Sequence, residues 1–431
     1  MKILSDKTGR KSLGLTVYNN GFASVKELRS LEAVKDDDQL MIRDLPAKIE
    51  ADSIHIKGVS VREQTFKTGR INKEQLLEMH IGRLIAVRNM EFGEEMNIRL
   101  LAAKPDLIGE KEESGEIVIN PAGDLVLPPA EQSVETSPSI CCSIEAEDLP
   151  SEFELFYLTA GITWEAKYTA ELHEGKIFLD GWMNIENQTG ADFENCDLKA
   201  IAGIVKRAGH NIAAMENELF SAEAFGGQSV EYGFADAYVY KVGMPFSISN
   251  GQTKQVKFMH VPPLKFQKIY RIEDRSSNAA VYLQFGGAAA EGLDIPLPTG
   301  TIKFYERDPE GDLEFIGEER IGHTPAKEKL LVKIGEAYDL TNKARERSRK
   351  KIDGHEYVTY EYQINNNKQE NTGVLVEHII NDPIWEMESS THDYEVMNSH
   401  TLEFHVRIGA GKTVEVEFTY KAESHIQPLV Q

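Results

Sequence analysis

Apolar and polar residues alternate with a period of two in several stretches of this chain. In the stretch "WEAKYTAEL" (164–172), Trp164, Tyr168 and Leu172 share one face. Glu165 and Glu171 share the other face. Because successive side chains of a β-strand point to opposite faces of its sheet, the pattern is typical of an antiparallel strand with one buried face.

The same alternation recurs near the C-terminus in "YVTYEYQI" (357–364), "TLEFHVRI" (401–408) and "TVEVEFTY" (413–420). A short glycine-bearing link, "GAGK", joins the last two as in a β-hairpin. Helical patterns are few, namely "NKEQLLEMHIG" (72–82) and "HNIAAMENELFSAEAF" (210–225). We therefore predict an all-β chain of antiparallel, immunoglobulin-like β-sandwich units with an inserted small β-barrel, in which strand exceeds helix at least twofold.

Changes in composition and residue pattern divide the 431 residues into four predicted segments with approximate boundaries. Residues 1–65 are predicted to form an N-terminal β segment that packs on the central sandwich. Residues 66–130 read as the inserted small β-barrel, because a short helix precedes four short apolar runs with tight links. Residues 131–354 form the central β-sandwich region, and 355–431 a C-terminal sandwich-like unit. Within the central region, the acidic, glycine-bearing residues 210–237 predict a mobile excursion that could serve as a lid.

Charge and cysteine content narrow the partners and the compartment. The chain has 70 acidic and 47 basic residues, a net charge of −23, so its surface repels nucleic-acid phosphates and anionic lipids. We expect neither nucleic acid nor membrane as a partner. Cys141, Cys142 and Cys196 cannot form a disulfide framework, which suits a reducing compartment. No apolar run resembles a signal peptide or a membrane span, and we expect a cytoplasmic protein.

Sequence motifs of the common enzyme classes are missing. There is no glycine-rich phosphate loop, no G-x-G-x-x-G, no G-x-S-x-G, no H-E-x-x-H and no paired C-x-x-C. We therefore predict no cofactor and no metal site, and we assign no catalytic residue.

The stretch "YLTAGITWEAKYTAEL" (157–172) invites a glycosidase interpretation, because it combines aromatic residues with two glutamates. Catalytic carboxylates of glycosidases lie roughly 5 to 10 Å apart. Glu165 and Glu171 are six residues apart on one strand, which corresponds to about 20 Å. They cannot pair with each other, although either could face a carboxylate of a neighbouring strand. Trp164 and Tyr168 lie on the opposite face, where they are predicted to be core aromatics and not a sugar-binding platform.

The strongest basic feature is "TNKARERSRKK" (341–351). In an extended segment, one face would carry a basic stripe with partner-binding potential: Lys343, Arg345, Arg347, Arg349 and Lys351. The stripe could bind an acidic partner or another part of this protein. The simpler interpretation is a solvated edge strand, since basic side chains also protect exposed edges from aggregation.

Several stretches together resemble a known family. They are "LTVYNNGFASVKELRSL", "RDLPAKIEADSIHI", "FYLTAGITWEAKYTAEL", "GWMNIENQTGADFENCDLKAIAG", "LPTGTIKFYE" and "LEFHVRIGAGKTVEVEFTY". They are similar to the uncharacterised bacterial and archaeal proteins grouped around the mucoidy-inhibitor A-like proteins, whose C-terminal region is a domain of unknown function. The resemblance runs from Leu13 to Tyr420 and implies an all-β, sandwich-type architecture. It carries over no catalytic residue.

The resemblance also implies a structural role for the predicted strand that contains Trp164. In the family pattern, this strand and the following "IFLDGWMNIEN" read as consecutive strands of one sandwich. Trp164 and Trp182 would then be core or near-core anchors, and Gly181 a position of close approach. Some family members carry an export signal and a long coiled coil; we recognise neither pattern in this sequence and therefore expect no envelope role.

Two hypotheses of function follow. The leading one is a non-enzymatic β-sandwich protein that binds a macromolecular or polymeric partner. The alternative is a hydrolase that acts on a glycan or peptide with carboxylates from separate strands, with residues 210–237 as a lid. A third hypothesis, a nucleic-acid module built on the small barrel, is disfavoured by the net charge.

Overall fold

The structure is a computed structural model that describes residues 3–31, 39–69, 72–89, 94–129, 137–145, 149–203, 230–234, 237–287 and 293–423. Strands account for 66% of the residues and helix for 3%, which confirms the all-β prediction. The first predicted helix is present but shorter, as α1 (Lys73–Glu78). The second, at 210–225, lies outside the described residues, as does most of the predicted excursion at 210–237.

The elements follow in chain order. Up to residue 160 the strands are β1 (Ile3–Ser5), β2 (Arg10–Tyr18), β3 (Phe22–Ser30), β4 (Gln39–Ile42), β5 (His55–Lys57), β6 (Val61–Lys67), β7 (Leu84–Asn89), β8 (Glu94–Ala102), β9 (Ile108–Lys111), β10 (Ile117–Ile119), β11 (Asp124–Val126), β12 (Ser139–Ile144) and β13 (Glu152–Ala160). Two 3₁₀ turns accompany them, at Lys7–Gly9 and Ala51–Ser53.

The later strands are β14 (Ile162–His173), β15 (Lys176–Asn187), β16 (Phe193–Ala202), β17 (Val230–Phe234), β18 (Ala237–Lys241), β19 (Phe246–Ile248), β20 (Thr253–Ile272), β21 (Asn278–Gly286), β22 (Gly300–Arg307), β23 (Leu313–Ile321), β24 (Lys329–Ile352), β25 (His355–Asn366), β26 (Thr372–Ile379), β27 (Trp385–Ser390), β28 (Tyr394–Asn398), β29 (Thr401–Ile408) and β30 (Thr413–Glu423).

Contacts divide the described chain into two compact units, a coarser division than the four predicted segments. Among the described residues, the first unit contains 3–164, 185–203 and 231–254, and the second contains 165–184, 230 and 255–423. The first unit holds an eight-stranded sheet with the path β17-β18-β16-β2-β3-β13-β5 and with β19 paired to β16. It also holds a four-stranded sheet, β1-β4-β12-β6, and a five-stranded sheet, β10-β9-β8-β7-β11.

A buried ion pair ties two sheets of the first unit together. Arg29 and Glu27, both on β3, are almost completely buried and form a 2.7 Å salt bridge. Tyr157 on β13 donates a hydrogen bond to the other oxygen of Glu27 at 2.7 Å. Arg29 also donates to the backbone carbonyl of Arg43, directly after β4, at 2.9 Å. Burial, together with the negative charge of Glu27, raises the pKa of Tyr157 well above its usual value.

The five-stranded sheet has a core of its own, which Leu77 of α1 covers. That core is formed by Leu77, Ile85, Val87, Ile98 and Leu100. Helix α1 begins with a capping box, in which Asn72 and Gln75 exchange side-chain-to-backbone hydrogen bonds. Within the described residues, the pairing path ends at β10 and β11 and forms an open sheet.

The second unit contains one branched sheet, whose main path runs β23-β22-β14-β15-β20-β21-β24-β25-β30-β27. The long strand β24 pairs with β21 over its first half and with β25 over its second half. At the branch, β26 pairs with both β20 and β29. Side chains of β25, β26, β29 and β30 share one apolar core, which includes Tyr362, Val376, Phe404 and Phe418.

The two faces of β14 are used as the sequence predicted. Trp164, Tyr168 and Leu172 are each no more than 2% exposed. The side chains of Glu165 and Glu171 are 43% and 33% exposed. Trp164 is therefore a core anchor, and its indole nitrogen donates a 3.0 Å hydrogen bond to the carbonyl of Ile201. Because all three apolar side chains on this face are buried, the opposite face of β14 is the one that meets solvent.

We expect Trp164→Ala to lower the free energy of unfolding by about 3 to 5 kcal/mol, because it leaves a cavity in a fully packed site. The melting temperature should fall by roughly 5 to 20 °C. Chemical and thermal denaturation followed by circular dichroism measure both quantities. Glu165→Ala, one residue away on the solvent face, is the matched control and should change stability by less than about 0.5 kcal/mol. Equal effects of the two substitutions would contradict the assignment of the faces.

Arg29→Met alone should destabilise the protein by about 3 to 5 kcal/mol, because it leaves the buried charge of Glu27 without its partner. The double variant Arg29→Met/Glu27→Leu should recover part of that loss, since it removes both buried charges together but leaves the buried Tyr157 hydroxyl without its acceptor. Urea denaturation of the two variants and the parent gives the three free energies. A double variant that is less stable than Arg29→Met would show that the ion pair itself, and not the unpaired charge, carries the stability.

Candidate functional site

A tight turn sets the register of the hairpin formed by β14 and β15. Its two residues, Glu174 and Gly175, have φ values of 47° and 74°. Two consecutive residues with positive φ make a type I′ turn, whose twist matches that of the flanking strands. The turn joins His173 directly to Lys176, and from this geometry we infer that Glu171 lies opposite Phe178. One face of the hairpin is thereby buried and the other presented to solvent.

The solvent-facing side of this hairpin and of the adjoining strands carries aromatic side chains. We call it the aromatic face and define it by Phe178 and Trp182 of β15, Tyr305 of β22 and Phe315 of β23. Phe178 is 37% and Phe315 54% exposed, and the other two are half-buried. The rings of Tyr305 and Phe315 meet edge to face with centroids 5.8 Å apart.

Strand pairing aligns these aromatic residues across four strands. β22 pairs with β14 in parallel and places Tyr305 beside Glu171. β23 pairs with β22 and places Phe315 beside Tyr305. With Phe178 opposite Glu171, one row crosses β23, β22, β14 and β15. Aromatic side chains in such a row offer a broad, shallow contact surface in place of a closed pocket.

Ion pairs lie between and beside the aromatic rings on this face. They are Lys167–Glu165 (2.5 Å), Lys257–Asp180 (2.8 Å), Arg307–Glu171 (3.0 Å) and Lys303–Glu318 (4.0 Å). Four cations thus stand against four carboxylates. Lys257 also lies over the ring of Trp182, 5.8 Å from its centroid, which is a cation–π distance.

Asp180 is held in its charged form at the centre of β15. Partial burial opposes ionisation, but hydrogen bonds from Lys257 and His260 outweigh it and lower the pKa of the carboxyl. The His260 Nδ1 atom lies 2.6 Å from Asp180 Oδ1. A carboxylate held in place by Lys257 and by a hydrogen bond with His260 suits hydrogen bonding to a polar ligand.

Trp182 corrects one expectation from the sequence. It is half-buried and faces outward with Phe178 and Asp180, whereas Trp164 is a core anchor. The sequence did contain the information needed to place Trp182 outward. The apolar residues Leu179 and Met183 put the buried face of β15 at odd positions, and Trp182 is at an even position. Gly181 confirms the expected close approach, since a Cβ atom there would collide with the side chain of Met259.

The predicted basic stripe does not lie on one face of β24. A β-bulge between Glu346 and Ser348 shifts the register against β25. Before the bulge, Arg345 lies opposite Glu361, and after it Arg349 lies opposite the core residue Val358. Because a one-residue slip reverses the direction of all later side chains, Arg349 and Lys351 point to the other face from Lys343 and Arg345.

Acidic side chains of this same protein occupy most of the stripe. Arg345 pairs with Glu361 at 2.7 Å, and Arg347 pairs with both Glu361 and Glu417. Glu361 and Glu417 face each other across β25 and β30, so Arg347 offsets the repulsion of two opposed carboxylates.

Arg349 is likewise held within the protein. It pairs with Glu346 at 3.0 Å and with Glu356 at 2.8 Å, which together raise its pKa. Lys343 is exposed. The contacts of Arg345, Arg347 and Arg349 favour the second of the uses that the sequence left open, binding to another part of this protein.

One pair of opposed carboxylates bears on the hydrolase alternative. Glu377 of β26 lies directly opposite Glu403 of β29, and opposed residues have Cβ atoms about 5 Å apart. Arg271 contacts both, at 3.6 Å and 3.0 Å. Glu377 lies on the outward side of its strand, which alternates with buried Val376 and His378. Bridging by one guanidinium is the geometry of a structural ion pair.

A buried histidine lies in the core of the second unit. His378 Nδ1 lies 2.7 Å from the hydroxyl of Tyr362 and 3.8 Å from Asp274. The ring also packs against Tyr360 and Phe418, with centroids 4.4 and 4.9 Å away. Burial, only partly opposed by Asp274, lowers the pKa of His378 to about 4. The histidine is therefore neutral at pH 7 and is enclosed by the core.

Within the described residues, no group of three or more His, Cys, Asp or Glu side chains is arranged to hold a metal ion. No helix in the described part of the chain is long and apolar enough to cross a membrane. All three cysteines are free thiols, and burial raises the pKa of Cys142 to about 11 and that of Cys196 to about 12.

Comparison with known proteins leaves the chain without an assigned family. No protein-family model matches it, and no curated protein matches its sequence.

We expect His378 to make stability fall as the pH is lowered from 6.5 to 4. Below pH 6.5 the unfolded chain binds a proton at this histidine, whereas the folded protein does not until about pH 4. Between pH 7 and pH 5 this contribution should amount to about 2 kcal/mol. Urea denaturation at both pH values should show a smaller difference for His378→Asn, whose side-chain oxygen can still accept from Tyr362. An unchanged difference in that variant would contradict the assignment.

Proposed function

We propose that this chain is a non-enzymatic binding protein and that the aromatic face engages a macromolecular or polymeric partner. The observation that carries the proposal is the alignment of Phe315, Tyr305 and Phe178 across the solvent side of one sheet. Single exposed apolar residues are ordinary on protein surfaces, but an aligned group marks an interaction site.

The cost of exposing these rings supports the proposal. Removal of apolar surface from water stabilises by about 25 cal/mol per Å², so exposed rings forgo that stabilisation in the free protein. Phe178 lies on β15, which has neighbours on both sides and is not an edge strand. Strand pairing therefore cannot cover this ring, and a partner can do so only by lying across the face.

The charged groups of the face support binding over catalysis. Glu165, Glu171 and Asp180 each pair with a cation at 3.0 Å or less. General acid–base chemistry needs a group poised to exchange a proton during the reaction, whereas these carboxylates are fixed in ion pairs. Their geometry suits hydrogen bonding to a bound partner. The hydrolase remains the second candidate, but Arg271 also holds its opposed carboxylates, Glu377 and Glu403, in a structural ion pair.

The proposal includes the finer architecture predicted from the sequence. We propose immunoglobulin-like sandwich units, and the shared core of β25, β26, β29 and β30 supports this. We also propose that residues 66–130 form the inserted small barrel-like unit; its separate core around Leu77 and Ile98 supports an independent unit, while its sheet is open within the described residues. Membership of the mucoidy-inhibitor A-like proteins rests on the stretches quoted above.

Compartment and partners follow from charge and thiols. Three free cysteines, two of them buried, support a reducing and therefore cytoplasmic compartment. The net charge of −23 continues to disfavour nucleic acid and anionic membranes as partners.

Photo-crosslinking tests the proposed face directly. We expect a benzophenone amino acid at Phe178 to form adducts with a partner in extracts of the native host, because this position would lie inside the contact. The same group at Tyr338 of β24 is the control, since that side chain is 86% exposed and lies outside the aromatic face. Adducts with polymer or protein are both detected by a mass shift of the purified chain. Identical results at the two positions, or none at Phe178, would contradict the proposal.

A further inference from the structure

We propose that the partner of the aromatic face is an uncharged polysaccharide. This inference rests on the proposed function and names the class of polymer that the face would bind. Three observations carry it: the charge balance of the face, the way its aromatic rings are dispersed, and its extent across the sheet.

The charge balance of the face differs from that of the chain. The whole protein carries a net charge of −23, yet the aromatic rings are surrounded by four cations and four carboxylates in mutual contact. A polyanion needs an excess of cations, and a polycation needs an excess of carboxylates. Eight of the charges on this face neutralise one another, although Lys176 and Arg320 on the same side are also exposed, so the face lacks the dense single-sign charge that a polyelectrolyte needs and suits an uncharged polymer.

The dispersion of the aromatic rings separates a polysaccharide from a protein partner. The cores of protein–protein interfaces are depleted in charged residues and form continuous apolar patches. Here an ion pair, Arg307–Glu171, stands between Tyr305 and Phe178 in the same row. Another ion pair, Lys257–Asp180, involves the β15 position midway between Phe178 and Trp182. Phe178 is therefore separated from both Tyr305 and Trp182 by hydrogen-bonding groups, whereas Tyr305 and Phe315 touch edge to face.

Sugar rings match this alternation. One side of a pyranose ring presents C–H groups, which pack against the electron-rich face of an aromatic ring. Its rim presents hydroxyl groups, which can donate to carboxylates such as Asp180 and accept from ammonium groups such as Lys257. An uncharged sugar chain can therefore make both kinds of contact that alternate on this face, packing against aromatic rings and hydrogen bonding to charged groups.

The extent of the face favours a polymer over a single sugar. Phe178 and Trp182 are four residues apart on β15, which corresponds to about 13 Å. Tyr305 and Phe178 are separated by β14, so their strands lie about 10 Å apart. No single sugar ring spans these distances, and contacts at several rings add affinity only when one chain connects them.

Affinity electrophoresis tests the inference. The intact chain would be run in native gels that contain an uncharged polysaccharide, with glycogen, hydroxyethyl cellulose and arabinoxylan as probes and with alginate as the charged comparison. We expect retardation by at least one uncharged probe and none by alginate. Free glucose or xylose at matched sugar concentration should compete poorly, because a monosaccharide contacts one ring only.

Variants assign the retardation to the face. The double variant Phe178→Ala/Trp182→Ala should weaken binding about tenfold or more, as expected when anchoring aromatic side chains are removed. Phe315→Ala, which removes a side chain that is 54% exposed, is a second variant with little risk to folding. Tyr338→Ala removes an even more exposed aromatic residue (86%) elsewhere in the second unit and should bind like the parent. Circular dichroism of each variant verifies that it is folded.

The remaining outcomes separate this inference from the proposed function. Retardation by alginate alone, or equal weakening by Tyr338→Ala, would overturn the uncharged polysaccharide. Absence of retardation, combined with a protein adduct from the photo-crosslinker at Phe178, would overturn the polysaccharide and leave the proposed binding function in place. Absence of both retardation and adducts would overturn both.

Discussion

The two-residue turn at Glu174 and Gly175 is the constraint on which the second unit depends. Its positive φ values fix the register of β14 against β15, and a slip of one residue would exchange the two faces of a strand. With the observed register, Tyr168 and Leu179 are buried while Phe178 is exposed. The fold and the aromatic face are therefore two results of one register, so neither can change alone.

Alternation alone predicted a large part of this arrangement. It identified β14, β25, β29 and β30. It also assigned Trp164 to the core and Glu165 to solvent, because successive side chains of a strand point to opposite faces of the sheet. It could equally have placed Trp182 outward, but the family resemblance implied a core or near-core anchor. Alternation could not predict that Phe315 lies beside Tyr305. These residues meet because β22 pairs with β23, and alternation within a strand does not say which strands pair.

The basic stripe shows where alternation fails. Its five residues have one parity in the sequence, but a bulge after Glu346 inserts one unpaired residue and reverses the faces beyond it. Nothing in "ARERSRKK" marks that position. The bulge also lets Arg347 reach two opposed glutamates and Arg349 two others, so an acidic chain uses its densest basic segment for its own stability. The aromatic face differs from the chain as a whole, because eight of its charged side chains form ion pairs while the chain carries a strongly negative net charge.

Hydroxyl-radical footprinting with mass spectrometry tests the central claim, that one register buries the face of Trp164 and presents the face of Phe178 for binding. In the free protein we predict rapid oxidation of Phe178 and Phe315 and slow oxidation of Trp164 and Tyr168. With a bound polymer, Phe178 and Phe315 should become protected while Tyr338 keeps its rate. Oxidation of Trp164 faster than that of Phe178, or protection of Tyr338 in place of the aromatic face, would contradict it.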